Sequence, residues 1–373
     1  MKTLVDSGFD SDYSHERIND LTDLFTSEKV IQNFIDKIHA EDNTLDLKRG
    51  EFYPEILRCI ISMKRVIAEV FSIDIEQCHP NFGSNGSIDT ILTAIKLREI
   101  NKNIKVDFEG GLLVATPTYF RNYNSANAKQ IKMIKVPLKN WNLDIETFLK
   151  TLEERKPTVV FLVSPNNPTG IPVADAQIIQ IMESVDNKTL VVIDRTLINI
   201  NPEISTKELL ARFKNKQLAI LHSCSKYLGL SHLRVGFAVY SNKEVANEIQ
   251  PHLPLGLGVE GAVRATKYML ESRGFKPADS IVKNIIENKK LISSFCLANN
   301  DFSVTDFSGN YCILCLPEKI SSRKVVLDLE MRGIYTMDGS DFPEPIDGVL
   351  RLHVGGRPEL MQKTISALEE ICI

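Results

Sequence analysis

Three apolar, β-prone runs each end in a group that can do chemistry. Val159-Val160-Phe161-Leu162-Val163 runs into Ser164-Pro165-Asn166-Asn167-Pro168-Thr169-Gly170, Leu190-Val191-Val192-Ile193 ends at Asp194, and Leu218-Ala219-Ile220-Leu221 leads to Ser223-Cys224-Ser225-Lys226. In an open α/β sheet, ligands sit beyond the carboxyl ends of parallel strands, so an amide, a carboxylate and an amine delivered there in series point to one shared site. The amine can form an imine with a carbonyl. The carboxylate can keep a nearby ring nitrogen protonated, because an opposite charge favours the charged form.

Those are the requirements of pyridoxal 5′-phosphate, which stabilises a carbanion at an amino-acid Cα. Lys226 fits the Schiff-base role and, once released by substrate, that of base for the Cα proton. Asp194 fits the partner of the pyridine nitrogen. Asn167 can donate to the phenolate oxygen from a loop that flanking prolines stiffen. Arg234, eight residues past Lys226, supplies a fixed cation for the phosphate, with Ser223 and Ser225 as hydroxyl donors.

Taken in this order and spacing, Ser-Pro-Asn-Asn-Pro-Thr-Gly, the Val-Val-Ile-Asp strand end and the stretch from Ser223 through Lys226 and Arg234 to Phe237 resemble the class I/II aminotransferases, fold-type I pyridoxal-phosphate enzymes. The likeness runs from roughly Gly83 to Arg351. It implies an α/β fold, with a large domain built on a mostly parallel sheet sandwiched by helices and a smaller α+β domain. It implies that Ser84, Asn85 and Gly86, in Phe82-Gly83-Ser84-Asn85-Gly86-Ser87, cradle the phosphate before a helix from Ser87 to about Leu97. It also implies that Tyr119 lays its ring over the pyridine, that Arg351 clamps the substrate α-carboxylate, and that Asn167 touches substrate as well as cofactor. Tyr53 is a weaker match to a tyrosine lent to a neighbouring subunit. A homodimer follows from the resemblance, since such sites form at a subunit interface.

Two places depart from the family pattern. Asp194-Arg195-Thr196-Leu197 puts Leu where a Tyr usually donates to the ring oxygen, and leucine cannot donate unless the Thr196 hydroxyl substitutes for it. The acidic stretch from Asp6 to Arg17 stands in place of the usual opening segment; it reads either as a frayed polar terminus or as a cover over a basic substrate. The expected function is therefore amino-group transfer from a free α-amino acid to a 2-oxo acid. The alternative is a cyclase, lyase or oxidase acting on the side chain of an arginine-like amino acid, and a non-catalytic binding protein of the same fold is disfavoured by intact Lys226, Asp194 and Arg234.

Composition sets the outer bounds. The 373 residues, 43% hydrophobic and 25% charged, exceed one core and indicate a globular chain of more than one domain. A net charge of −4 argues against a nucleic-acid partner. Seven cysteines without framework spacing fit a reducing compartment. The N-terminus lacks a signal-peptide pattern and no run reaches the roughly 20 apolar residues of a membrane span, so a cytoplasmic enzyme without membrane contact is expected.

The elements that must position these groups can be read coarsely. Helical patterns cover Ser27 to Ala40 and Pro54 to Phe71, and strands alternate with helices from Gly111 to Tyr240. A long helix is expected from Val259 to Leu297, then a strand from Asn310 to Leu316, a helix from Arg323 to Arg332 stopped by Gly333, a strand from Val349 to Val354 and a helix from Pro358 to Cys372. This gives an N-terminal segment at 1–45, a cofactor domain at 46–255 and a small domain at 256–373. Cys312-x-x-Cys315 reads as core rather than a metal or redox pair, and no metal site is expected. Gly256-x-Gly258-x-x-Gly261 does not follow a strand, so it reads as a chance fingerprint. His222 and His232 flank the lysine motif; either could serve as a general acid, and each reads more readily as a packed or solvent-facing histidine.

Overall fold

The computed structural model describes residues 53–101, 110–202, 204–254 and 257–372. The expected cover at 1–45, including the helix at Ser27 to Ala40, lies outside the described residues. Strands β1 (Cys78–Asn81), β2 (Leu112–Thr116), β3 (Met133–Pro137), β4 (Val159–Val163), β5 (Leu190–Asp194), β6 (Leu218–Ser223) and β7 (Gly236–Tyr240) form one sheet in the order β1-β7-β6-β5-β4-β2-β3. Only β7 runs against its neighbours. Asp194 pairs with both Val163 and Leu221, so the three reactive strand ends lie side by side.

Helices α1 (Tyr53–Phe71), α2 (Gly83–Asn101), α3 (Phe120–Ala128), α4 (Ile145–Arg155), α5 (Asp175–Ser184), α6 (Thr206–Arg212), α7 (Cys224–Tyr227) and α8 (Lys243–Ile249) cover the sheet. The central strands are continuous apolar runs because both faces are buried. Val160 and Leu162 enter one core with Met63 and Ile67 of α1 and Ile178 of α5, while Val159, Phe161 and Val163 enter the other with Ile88, Ile91 and Ile95 of α2. Full burial of each such side chain contributes about 1.5–3 kcal/mol.

After α9 (Val259–Glu271) and α10 (Asp279–Ala298), strands β8 (Ser303–Val304), β9 (Tyr311–Cys315), β10 (Met337–Asp338) and β11 (Val349–His353) form an antiparallel sheet ordered β10-β11-β9-β8, with α11 (Ser322–Met331) and α12 (Pro358–Cys372). Cys312, Leu314, Leu350 and Leu352 face a third core with Ile285 and Ile292 of α10 and Leu368 of α12. Strand alternation therefore turns Tyr311, Ile313, Arg351 and His353 the other way, toward the larger sheet.

The structure corrects two expected elements. The helix expected from Val259 to Leu297 is two helices, because Arg273 turns the chain at φ 49 and Gly274 and Pro277 stand in the break. The first of them, α9, buries Ala262, Val263 and Met269 in the core that α1 shares. Gly261 within it is a packing glycine, since a Cβ there would lie 2.2 Å from Val235 Cγ2. The helix expected to begin at Ser87 begins at Gly83, whose φ of +68° lets the chain enter α2 directly from β1. No helix among the described residues is long and apolar enough to cross a membrane.

The two sheets meet at the loop after β4. Gly170 has φ +70, and a Cβ on it would lie 1.8 Å from the Tyr311 carbonyl oxygen. Its own carbonyl accepts from the amides of Ser308 at 3.0 Å and Gly309 at 3.2 Å, and Thr305 Oγ1 donates to Thr169 O at 2.8 Å. Gly170→Ala should destabilise the protein by ~2–4 kcal/mol, through strain and overlap together. Gly333→Ala, also at positive φ but with nothing within 4 Å of its Cβ, should cost only ~1–2 kcal/mol. Urea denaturation of both variants checks the difference; equal losses would show that the close approach to Tyr311 carries no energy.

Candidate active site

One end of the site is a cup suited to an anion. The first four amides of any helix lack intrahelical partners, and in α2 these include Ser84, Asn85 and Gly86. A Cβ at Gly83 would lie 3.1 Å from Arg234 Nη2 and 3.8 Å from Ser223 Oγ, so bare backbone sits between a guanidinium and a hydroxyl. A Cβ at Gly236 would lie 2.8 Å from Gly83 Cα, which shows how tightly β7 packs under the turn. Arg234 is exposed, and its Nη1 donates to Ser231 O at 3.0 Å. Ser223 caps α7 by accepting from Ser225 N at 3.2 Å. Tyr119 OH donates to Asn85 Oδ1 at 2.9 Å, tying the loop after β2 to the cup.

The middle of the site is a buried carboxylate. Asp194 is 2% exposed and accepts from Thr196 N at 2.9 Å. No cation among the described residues pairs with it. Burial pushes its carboxyl up to about 6, and hydrogen bonding from Thr196 offsets only part of that rise. The adjacent Arg195 turns away, donating to Ile204 O at 3.1 Å and Thr206 Oγ1 at 3.2 Å and lying 3.7 Å from Asp175 Oδ1. Leu197 is buried, and the Thr196 amide is spent on Asp194.

Beneath α7, His222 is packed between Phe71 and Phe237, with ring centroids at 5.3 and 5.1 Å, and shares a 3.1 Å hydrogen bond with Thr206 Oγ1. Burial drives its pKa down to about 3, so it stays neutral and supports the lysine helix instead of acting as an acid. His232 is exposed. Cys312 is buried in β9 and forms no disulfide with Cys315, and no metal-ligand cluster occurs among the described residues.

The third part joins the two sheets. Arg351 on β11 donates from Nη1 to Asn167 Oδ1 at 3.1 Å, bringing together residues 184 apart in sequence. Lys226 and Arg351 both face the ring of Tyr311, with Nζ 5.2 Å and Cζ 4.4 Å from its centroid. Tyr311 was missed from sequence, because an aromatic residue inside an apolar strand reads as core. The strand's alternation was the available signal: it sets Tyr311 and Ile313 opposite Cys312 and Leu314. Lys226 and Arg351 thus meet over one ring, Asn167 is joined to them through Arg351, Asp194 ends the strand between those that lead to Asn167 and Lys226, and Ser84 to Gly86, Tyr119, Ser223 and Arg234 form a cup.

Known proteins share this chain's pattern. The model of the family "Aminotransferase class I and II" matches residues 13–368. A histidinol-phosphate aminotransferase of Vibrio cholerae is 30% identical over 311 residues, covering 82% of this chain and 82% of that protein. Among solved structures, the histidinol-phosphate aminotransferase of Clostridium acetobutylicum superposes with a TM-score of 0.72 at 18% identity, covering 92% of this chain and 95% of that one. The Sinorhizobium meliloti histidinol-phosphate aminotransferase, solved in complex with pyridoxal-5′-phosphate, gives 0.66 at 17% identity, with 87% and 83% covered. These structural likenesses show the fold. The relatives favour amino-group transfer over the side-chain chemistries that Leu197 had raised as the alternative. The chain belongs to the class I and II aminotransferases and is a pyridoxal-phosphate-dependent enzyme of fold-type I.

Proposed function

We propose that Lys226 is the residue that carries pyridoxal 5′-phosphate covalently and that, once an incoming amine frees it, moves the Cα proton of the substrate. The observation that carries this reading is Asp194, a carboxylate 2% exposed with no cation paired to it among the described residues. Such a group fits a protonated ring nitrogen, which would hold it ionised. The amides of Ser84, Asn85 and Gly86, with Arg234, Ser223 and Ser225, would hold the phosphate. Tyr119 would cover the ring. Asn167 would donate from its amide nitrogen to the ring oxygen, and the buried Thr196 hydroxyl, which has no hydrogen-bond partner among the described residues, could stand in for the tyrosine that Leu197 replaces.

When bound, the cofactor supplies the electron sink that stabilises a carbanion at the substrate Cα. The chain's own residues do the remainder. Asp194 holds the positive charge of the ring in place. Lys226 Nζ would take the Cα proton, one C–H bond breaking as one N–H bond forms, and would then release it to a second acceptor atom, since returning it to Cα would only regenerate the substrate. Arg351, steadied by Asn167, binds the anionic end of the substrate with a planar guanidinium suited to two hydrogen bonds. An α-amino acid with a 2-oxo acid acceptor satisfies this arrangement. A second reading takes histidinol phosphate as the donor, because the curated relatives are named for it and a guanidinium grips phosphate as well as carboxylate.

Other assignments rest on less. A homodimer is supported by Phe82 and Arg234, exposed beside the cup, where a second subunit would complete it. A cytoplasmic location is supported by cysteines that form no disulfide among the described residues. The division at 46–255 and 256–373 assigns the cofactor to the first part and Arg351 to the second.

Lys226→Ala should abolish transfer, by at least ~10³-fold, and with it the borohydride-reducible link to the cofactor. Incubating wild type and variant with a panel of amino acids and histidinol phosphate, with and without 2-oxoglutarate, and identifying products by mass checks this. Product formed without an acceptor in excess of one equivalent of enzyme would sink the transfer reading. Asp194 also predicts a pH effect on the cofactor-free chain. An acid whose folded pKa, about 6, lies above its unfolded value of about 3.9 stabilises the fold only while protonated. The cofactor-free protein should therefore lose about 2–3 kcal/mol as pH rises from ~4 to ~6, and Asp194→Asn should lack that step. Melting curves of both across this window test it, and superimposable pH dependences would refute it.

A further inference from the structure

Helix α3 is too short and too polar to hold its own place. An isolated helix below ~12–15 residues is marginal in water. This one has nine, of which only Ala126 enters a buried apolar cluster among the described residues. Tyr119 stands at its N-cap and gives it no side-chain cap. The position of α3 is therefore set from outside the helix.

Three donors on one stripe make the connection. Arg121, Ser125 and Lys129 recur every four residues, which puts them on one face of α3 and its C-cap. All three reach the carboxylate of Asp89 on α2. Arg121 Nη2 donates to Oδ2, Ser125 Oγ donates to Oδ1 at 2.6 Å, and Lys129 Nζ donates to Oδ1 at 3.2 Å and to Ser125 Oγ at 3.1 Å. Asp89 lies four residues beyond Asn85, so the two occupy one face of α2, a turn apart. Asn85 accepts the Tyr119 hydroxyl at 2.9 Å, and only Pro117 and Thr118 separate Tyr119 from the end of β2. One strip of α2 thus receives both the body of α3 and the ring that precedes it. The side chains of Asp89, Arg121 and Lys129 are 31%, 35% and 19% exposed, and ion pairs this open to water add little stability. What they fix is where α3 lies.

We propose that Asp89 is a positioning residue for the cofactor: by collecting Arg121, Ser125 and Lys129 it holds α3 along α2, and that placement sets the ring of Tyr119 beside the anion cup. The proposal rests on Tyr119 covering the cofactor ring. It assigns Asp89 no contact with the cofactor and no chemical step.

The test titrates the cofactor-free full chain with pyridoxal 5′-phosphate. Absorbance of the bound form gives the dissociation constant, and its visible circular dichroism reports the surroundings of the ring. Charge and position predict opposite signs. Removing a negative charge beside an anion site should, by Coulomb's law alone, tighten phosphate binding, whereas losing the hold on α3 should weaken it. Asp89→Asn should raise the dissociation constant about five- to twenty-fold and reduce the dichroism. Asp89→Glu, which keeps the charge and both acceptor oxygens, should stay within about three-fold of wild type. Ser125→Ala, which removes one donor and no charge, serves if Asp89→Asn does not fold as judged by melting, with a loss of about two- to four-fold. In a Tyr119→Ala background, Asp89→Asn should change the constant by less than about two-fold, because the ring through which it acts is gone. Unchanged or tighter binding in Asp89→Asn, or an equal loss with and without the Tyr119 ring, would overturn the positioning role. Wild-type binding and dichroism in Tyr119→Ala alone would instead remove the ring-cover reading on which it stands.

Discussion

A carboxylate kept from water at the end of a strand is the constraint around which this molecule is arranged. Asp194 sits where β5 leaves a sheet covered on both faces, so it can be ionised only if something positive faces it. Its chain neighbour cannot serve, because the Arg195 guanidinium is committed to Ile204, Thr206 and Asp175 on the other side. On the proposed reading, the ring nitrogen of the bound cofactor would meet that requirement. The lysine, the asparagine and the anion cup are placed around the same strand ends by the register of β4, β5 and β6.

The second constraint is the junction between the sheets. A carboxylate clamp on β11 is useful only if β9 and β11 come close enough to the loop after β4 for Arg351 to reach Asn167. Gly170 permits this by presenting backbone to the Tyr311 carbonyl, and Asn310 Oδ1 adds a 2.8 Å bond from Ile198 N, just beyond Asp194. A further apolar cluster of Trp141, Phe342, Val349 and Ile313, with Lys135 2.9 Å from Glu344, closes the same seam farther along. The residues proposed to recognise substrate, Arg351 and Asn167, therefore lie in the seam where the two sheets pack.

Much of this was legible before any coordinates. Apolar runs ending in Asn167, Asp194 and Lys226 gave the strands, because a strand buried on both faces must be apolar throughout, and a reactive group can follow only where it leaves the sheet. The closing helix at Pro358 to Cys372 and the strand at Val349 were also readable from periodicity. The break at Arg273 was not, since a helical pattern continues on both sides of it and only Gly274 and Pro277 marked the place. The start of α2 was placed four residues late. Ser-Asn-Gly favours a turn locally, and packing of β7 beneath Gly83 decided otherwise.

By itself, the sequence determined which groups were available and which ran in series along the chain: Lys226, Asp194, Asn167, the glycine and hydroxyl positions of the cup, and Arg351 as a cation in a late strand. Short-range order is enough for the apolar strands and the groups that end them, while the cup and Arg351 came from the likeness of the motifs to a known family. Tertiary structure alone decided that Arg351 meets Asn167, that Arg351 and Lys226 both lie over the ring of Tyr311, and that His222 is neutral support instead of an acid. Each of these depends on how two surfaces pack and how much water they expel, and no spacing along one chain records the distance between residues brought together by folding.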